Sequence, residues 1–178
     1  REMFTTAGAG LLFNAAQRVL MRRAALRDVT DIAFLIRPEI EAERIRPLSE
    51  ADIEARIGSF WVYEVDGLTV GTARLKDFGD WVELGTVATL PRYRGKGRAR
   101  GMALRLAQEA TALGKHWLFV VGTDPRMQAF YPALGFVPIA REHLPEAWKA
   151  SYDLSRPSKA WVKGLQPTAS GSAGSTLR

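Results

Sequence analysis

At 178 residues, 47% of them hydrophobic, the chain has the size and composition of one globular domain with a substantial core. It contains no cysteine, which excludes disulfides, thiolate metal sites and a cysteine nucleophile, and its two histidines, His116 and His143, are too few for a histidine-rich metal centre. The net charge is +6, and the longest strongly apolar run, Trp117 to Val121, is too short to cross a membrane, so no membrane partner is expected.

In chain order, Asn14 to Leu20 reads as a linking helix and Leu20 to Ala25 as a first strand. Val29, Ile32, Ala33 and Ile36 share one face of a helix that starts at Asp28 and is expected to stop before Pro38. Ser49 is a good N-cap for a second helix ending near Gly58. Phe60 to Val65 and Leu68 to Leu75 flank Asp66-Gly67, a strong hairpin signal. Trp81 to Leu90 reads as a buried central strand. The spacing of Met102, Ala103, Leu106, Ala107, Ala110 and Leu113 predicts a helix from about 97 to Gly114. Trp117 to Val121 is another strand, and Pro125 to Leu134 a short helix with proline in its first turn. Phe136 to Ile139 and Lys159 to Val162 complete the sheet. Residues 166–178 are rich in Ser, Gly, Ala and Thr and read as a flexible tail.

The most informative stretch is Pro91 to Gly101, between the central strand and the long helix. Gly95 and Gly97 let the backbone turn tightly and let a ligand approach its N–H groups, which open a helix and favour an anion. Segment 91–105 carries six positive charges and no acid: Arg92, Arg94, Lys96, Arg98, Arg100 and Arg105. This chemistry asks for a phosphate-bearing ligand. The P-loop pattern is absent, and the dinucleotide fingerprint would need its third glycine one place before Gly101. Nucleic acid is the rival reading of the basic patch, but only Tyr93 supplies an interleaved aromatic, and no nucleic-acid partner is expected. Glu83 stands out as a carboxylate in an otherwise apolar strand. Half-buried there, it would have a raised pKa suited to a general base; an exposed edge residue or an ion pair is the alternative.

Arg92, Gly95 and Gly97, with Pro91 before them and Phe130 to Phe136 later, resemble the coenzyme A pyrophosphate turn and landmarks of the GNAT acetyltransferase superfamily. The resemblance implies an α/β (α+β) fold with a central mixed, mostly antiparallel sheet splayed at the cofactor and helices on both faces. It implies acetyl-CoA as co-substrate and no metal. It places the pantetheine arm and acetyl group at the backbone of Val87, Ala88 and Thr89, and the pyrophosphate at Arg94, Gly95, Lys96, Gly97 and Arg98. Glu83 falls at the position of the base and Tyr131 at that of the proton donor; a core aromatic between Phe130 and Phe136 is the other reading of Tyr131.

Leu144 to Lys159, with Leu144-Pro145, Tyr152 and Arg156-Pro157-Ser158-Lys159, is similar to the closing segment of bacterial N-acetylglutamate synthases, as are Ile36-Arg37-Pro38, Arg46 and Glu50 upstream. This resemblance implies glutamate as acetyl acceptor, with Arg46, Lys149, Arg156 and Ser158 at or beside the substrate contacts, and a cytoplasmic enzyme of arginine biosynthesis. Arginine forks suit a substrate with two carboxylates. Tyr131 stands where those synthases usually carry Phe, and Pro157 interrupts the Arg-x-Ser motif. Residues 2–12 look like the last strand region of an amino-acid kinase domain of the acetylglutamate kinase type. The expected organisation is therefore a segment 1–21 left from such a domain plus a linker, an acetyltransferase domain over 22–165, and the tail 166–178. A kinase-like regulatory domain or a second copy of the chain is the implied partner. The alternatives are acetylation of another small-molecule or protein amine, or a non-catalytic acetyl-CoA-binding regulatory module.

Overall fold

The computed structural model describes residues 17–95 and 97–166. The stretch read as kinase-like (2–12), residues 14–16 of the expected linking helix, Lys96, and residues 167–178 lie outside the described residues.

Seven strands form one sheet in the order β1-β2-β3-β4-β5-β7-β6. They are β1 Val19–Arg23, β2 Phe60–Val65, β3 Leu68–Phe78, β4 Trp81–Thr89, β5 Trp117–Gly122, β6 Val137–Ile139 and β7 Lys159–Gly164. All neighbours run antiparallel except β4 and β5, which are parallel. The helices are α1 Val29–Glu41, α2 Glu50–Ala55, α3 Arg98–Ala112, α4 Met127–Phe130 and α5 Glu146–Ser151. The mixed, mostly antiparallel sheet with helices on both faces is the architecture the sequence implied.

Period-two alternation divides the core. On β2, Phe60 and Val62 face α1 and α2, meeting Ile32, Leu35, Ile36 and Ile53, while Trp61 faces the opposite side. There Met102, Ala103, Leu106, Ala107 and Ala110 of α3 pack on Leu75, Val82, Leu84, Leu118 and Val120. A third cluster, Phe119, Leu144, Trp148, Ala160 and Val162, seats α5 against β5 and β7. Leu165, just past β7, still belongs to the core and bonds through its amide to the carbonyl of His116. Among the described residues no helix is long and apolar enough to cross a membrane.

Four local expectations are corrected. Helix α1 does not stop before Pro38 but runs on to Glu41, because the proline sits exposed in its last turn and costs little there. Val19 is strand, not linking helix, pairing with Val65 on the edge of β2 one residue ahead of Leu20, where the strand was expected to begin. Strand β3 continues past Leu75 to Phe78, and a turn at Gly79-Asp80, with Gly79 at φ 75°, folds it directly into β4. Helix α5 was not foreseen, being too short to display a period. The Ser49 cap and the Asp66-Gly67 turn stand as read. Ser49 Oγ accepts from the Asp52 amide, and both turn residues have positive φ, 52° and 80°.

Candidate active site

Two irregularities of β4 build a cleft. Strand β4 pairs with β5 only over Trp81, Val82 and Glu83, and then the two part. Just beyond, Thr86 and Val87 stand opposite the single residue Ala73, a β-bulge with Thr86 at φ 51°, strained for a β-branched residue. The bulge reverses the alternation: Val82, Leu84 and Val87 pack towards α3, whereas Ala88 packs towards α1. Among the described residues, the edge of β4 that faces β5 has no strand partner from Leu84 onward, which leaves it open to another extended chain.

The cleft that opens there has a volume of about 470 Å³. Val87, Ala88 and Thr89 line one wall, Tyr131 and Phe130 another, and Arg94, Gly95, Gly97 and Arg98 its mouth. The sequence-derived cofactor positions described here are thus brought to one place. Gly95 and Gly97 have φ of 81° and 71°, and a Cβ at either would meet only open space. Gly97 is the N-cap of α3, with no side chain capping that end. The amide of Arg98 bonds to Gly95 and that of Gly101 to Gly97, and Ala99 and Arg100 line the cleft, so the positive end of the α3 dipole opens onto it and favours an anion there. Backbone shape, open space and charge all fit a pyrophosphate.

Glu83 lies at the apex of the splay, opposite Lys76 on β3 and Phe119 on β5. It is buried (6% exposed) rather than half-buried, because β4 is central in the sheet and α5 covers this face. Lys76 Nζ stands 3.8 Å from its Oε2. Burial pushes the Glu83 carboxyl above the usual carboxylate range, with Lys76, Arg74 and the Trp148 side chain pulling the other way. The carboxylate sits behind Gly85, which lines the cleft; a Cβ on Gly85 would lie 3.7 Å from Glu83 Oε1. Tyr131 is both the core aromatic and a cleft residue: its ring packs on Phe130, Phe136 and Trp161. Burial raises its phenol pKa, which keeps it protonated.

The four acceptor candidates meet different partners. Arg46 donates to the carbonyl of Ser151 (3.0 Å) and Arg156 to that of Glu43, so the two tie the α1–α2 loop to the end of α5 and the segment after it. Both contribute to holding the Asp153 carboxyl below its usual range, after the larger effect of hydrogen bonds from Ser155. Ser158 is buried on a second hollow of about 410 Å³, accepting from Arg141 at 3.1 Å. Lys149 pairs with Glu146 and donates to the carbonyl of Glu142.

Sequence reasoning missed Lys76, Trp148 and the charged residues Glu39, Arg44, Asp124 and Arg126 that line the cleft. For Lys76 a signal existed: a two-residue Gly79-Asp80 turn sets Phe78 opposite Trp81 and hence Lys76 opposite Glu83. For the others, which come from α1, the loop after it, the segment after β5 and α5, no local signal existed.

The amino-acid acetyltransferase of Azotobacter vinelandii is 36% identical over 166 residues, which are 92% of this chain but 38% of that protein. Among solved structures, N-acetylglutamate synthase from Neisseria gonorrhoeae complexed with coenzyme A and N-acetyl-glutamate superposes with a TM-score of 0.79 at 28% identity, over 85% of this chain and 36% of that one. The same synthase complexed with coenzyme A and L-arginine gives 0.73 at 29% identity, over 83% and 33%. The chain therefore spans little more than a third of the length of these relatives. The profile of the acetyltransferase (GNAT) family matches residues 26–136, and with the splayed sheet and glycine turn this places the chain in that family.

Proposed function

We propose that this chain transfers an acetyl group from acetyl-CoA to the α-amine of L-glutamate, the first step of arginine synthesis. The observation that carries the reaction type is the parting of β4 from β5 at Glu83, next to an uncapped helix N-terminus. The pantetheine arm pairs with the free edge of β4 at Val87 to Thr89 as a strand would, and the pyrophosphate takes the amides of the 95–100 turn. Glu83 receives the proton of the attacking amine through water beyond Gly85. The amine nitrogen bonds to the thioester carbon, the carbon–sulfur bond breaks, and Tyr131 supplies a proton to the departing thiolate. Arg94 and Arg98 add positive charge, and Lys96 belongs to the same turn in sequence.

Glutamate is favoured by the similarity to a synthase solved with N-acetyl-glutamate and by the Arg156-Pro157-Ser158 segment. In this reading Arg156 and Ser158 bind one carboxylate, and Arg46 or Lys149 the other. A preceding kinase-like domain belongs to it too, given the greater length of the relatives. The test is steady-state kinetics with glutamate and glutamine. Losing a charged hydrogen bond costs about 1.5–3 kcal/mol, roughly 10–150-fold in affinity. Arg156→Ala should raise the KM for glutamate by that factor and leave that for acetyl-CoA nearly unchanged. Glutamate kinetics untouched by the substitution remove Arg156 from the site; equal use of glutamine by the wild type removes glutamate as the specific acceptor.

A further inference from the structure

An acid at the mouth of an anion site is unexpected, and two line this one, Glu39 and Asp124. Asp124 is taken by Arg126, two residues along. Glu39 reaches across the cleft. It lies in the last turn of α1 and is buried. Its carboxylate accepts from Arg44 twice, at 2.6 and 3.2 Å, and from Arg94 NH2 at 3.3 Å. Arg94 spends its Nε on the carbonyl of Thr89, at the end of β4 (3.2 Å). The backbone carbonyl of Glu39 also accepts from the amides of Arg44 and Ile45. One residue thus fixes both the loop after α1 and the side chain that opens the glycine turn.

We infer that Glu39 is a positioning residue, whose carboxylate holds the Arg94 and Arg44 guanidiniums in place at the phosphate mouth of the cleft. Arg94 is 41% exposed, and a long side chain so free would otherwise spread over many rotamers. Held at two points, by Thr89 and Glu39, it meets an incoming pyrophosphate with its orientation already set, and the bound state loses less entropy. The two guanidiniums outweigh the one carboxylate, so the pair-and-a-half remains cationic.

The inference makes a prediction opposite to simple electrostatics. Glu39→Gln removes a negative charge from a polyanion site, and charge alone would tighten coenzyme A binding. Loss of positioning weakens it instead, by about tenfold, the scale of one charge-assisted hydrogen bond. Glu39→Asp keeps the charge but is one methylene too short to reach both guanidiniums, and should weaken binding as well. Calorimetric titration with coenzyme A, alongside thermal unfolding, reads both variants; if Glu39→Gln does not fold, Glu39→Asp decides. On an Arg94→Gln background, Glu39→Gln should cost less than it does in the wild type, because only Arg44 is then left for Glu39 to hold. Unchanged or tighter binding in folded Glu39 variants, or full additivity with Arg94→Gln, overturns the inference. It rests on the pyrophosphate lying at the 95–98 turn, and Gly97→Glu in the same titration separates the two. If Gly97→Glu also binds normally, the turn assignment fails; if only the Glu39 variants do, the positioning role alone fails.

Discussion

If Glu83 is the base, Lys76 governs the pH at which it works. Burial raises the Glu83 carboxyl, and the nearby Lys76 ammonium opposes that rise, so Lys76→Met should raise it further. Two unit charges about 4 Å apart interact by about 4 kcal/mol at an effective dielectric near 20. The Lys76 side chain is 34% exposed, and solvent screening reduces the figure to about 1 kcal/mol. The rate should depend on the ionised carboxylate and climb with pH through its pKa. The variant therefore needs a higher pH to reach the same rate. At the acid end of the profile it should turn over about fivefold more slowly, the equivalent of 1 kcal/mol, and on the alkaline plateau it should match the wild type. The assay is thiol release at saturating substrates across the pH range. Glu83→Gln should lose the acid limb altogether and about 10²–10⁴-fold in rate, with coenzyme A binding retained. A Lys76→Met profile that falls equally at every pH, or a Glu83→Gln variant with normal turnover, refutes the reasoning.

Two further outcomes are expected. Gly97→Glu puts a side chain at a φ of 71° and a negative charge beside the Ala99 and Arg100 amides, and coenzyme A affinity should fall at least about tenfold by calorimetry; unchanged affinity refutes the turn assignment. Away from the cleft, Asp28 is buried and accepts from Arg22 at 2.8 and 2.9 Å and from the Ala25 amide, so Asp28→Asn should cost about 2–3 kcal/mol in denaturant unfolding, Arg22 keeping Glu64 as partner. Arg22, above all, holds the Asp28 carboxyl below its usual range, so its contribution is present above the unfolded-state pKa and lost as pH falls through the folded one; the gap between wild type and variant should close in acid.

The glycine turn was legible because its signals are local: two glycines, a run of cations and the start of a helical period within a dozen residues. The sheet was legible strand by strand from apolar runs and the Asp66-Gly67 turn. The burial of Glu83 was not, because an acid in an apolar strand looks the same in the middle of a sheet as at its edge; neighbours brought by β5 and α5 decide it. Helix α5 buries one large residue, Trp148, in six positions, too few for periodicity to show. Glu39 was hidden by the rule that ends helices before proline, which breaks down in an exposed last turn. The acceptor candidates illustrate the converse: Arg46 and Arg156, 110 positions apart in the chain, both lie on the tie between the loop after α1 and the end of α5 with the segment after it, a relation that no spacing within either segment reveals.

The central claim is that glutamate accepts the acetyl group, and the most direct measurement is thiol release from acetyl-CoA across the twenty amino acids, with the product identified by mass spectrometry. The account predicts that glutamate gives the highest kcat/KM, that glutamine, lacking the side-chain charge, is a far poorer acceptor, and that the product carries its acetyl group on the α-nitrogen. Equal turnover of glutamine and glutamate, or turnover of another amine with none of glutamate, would contradict it.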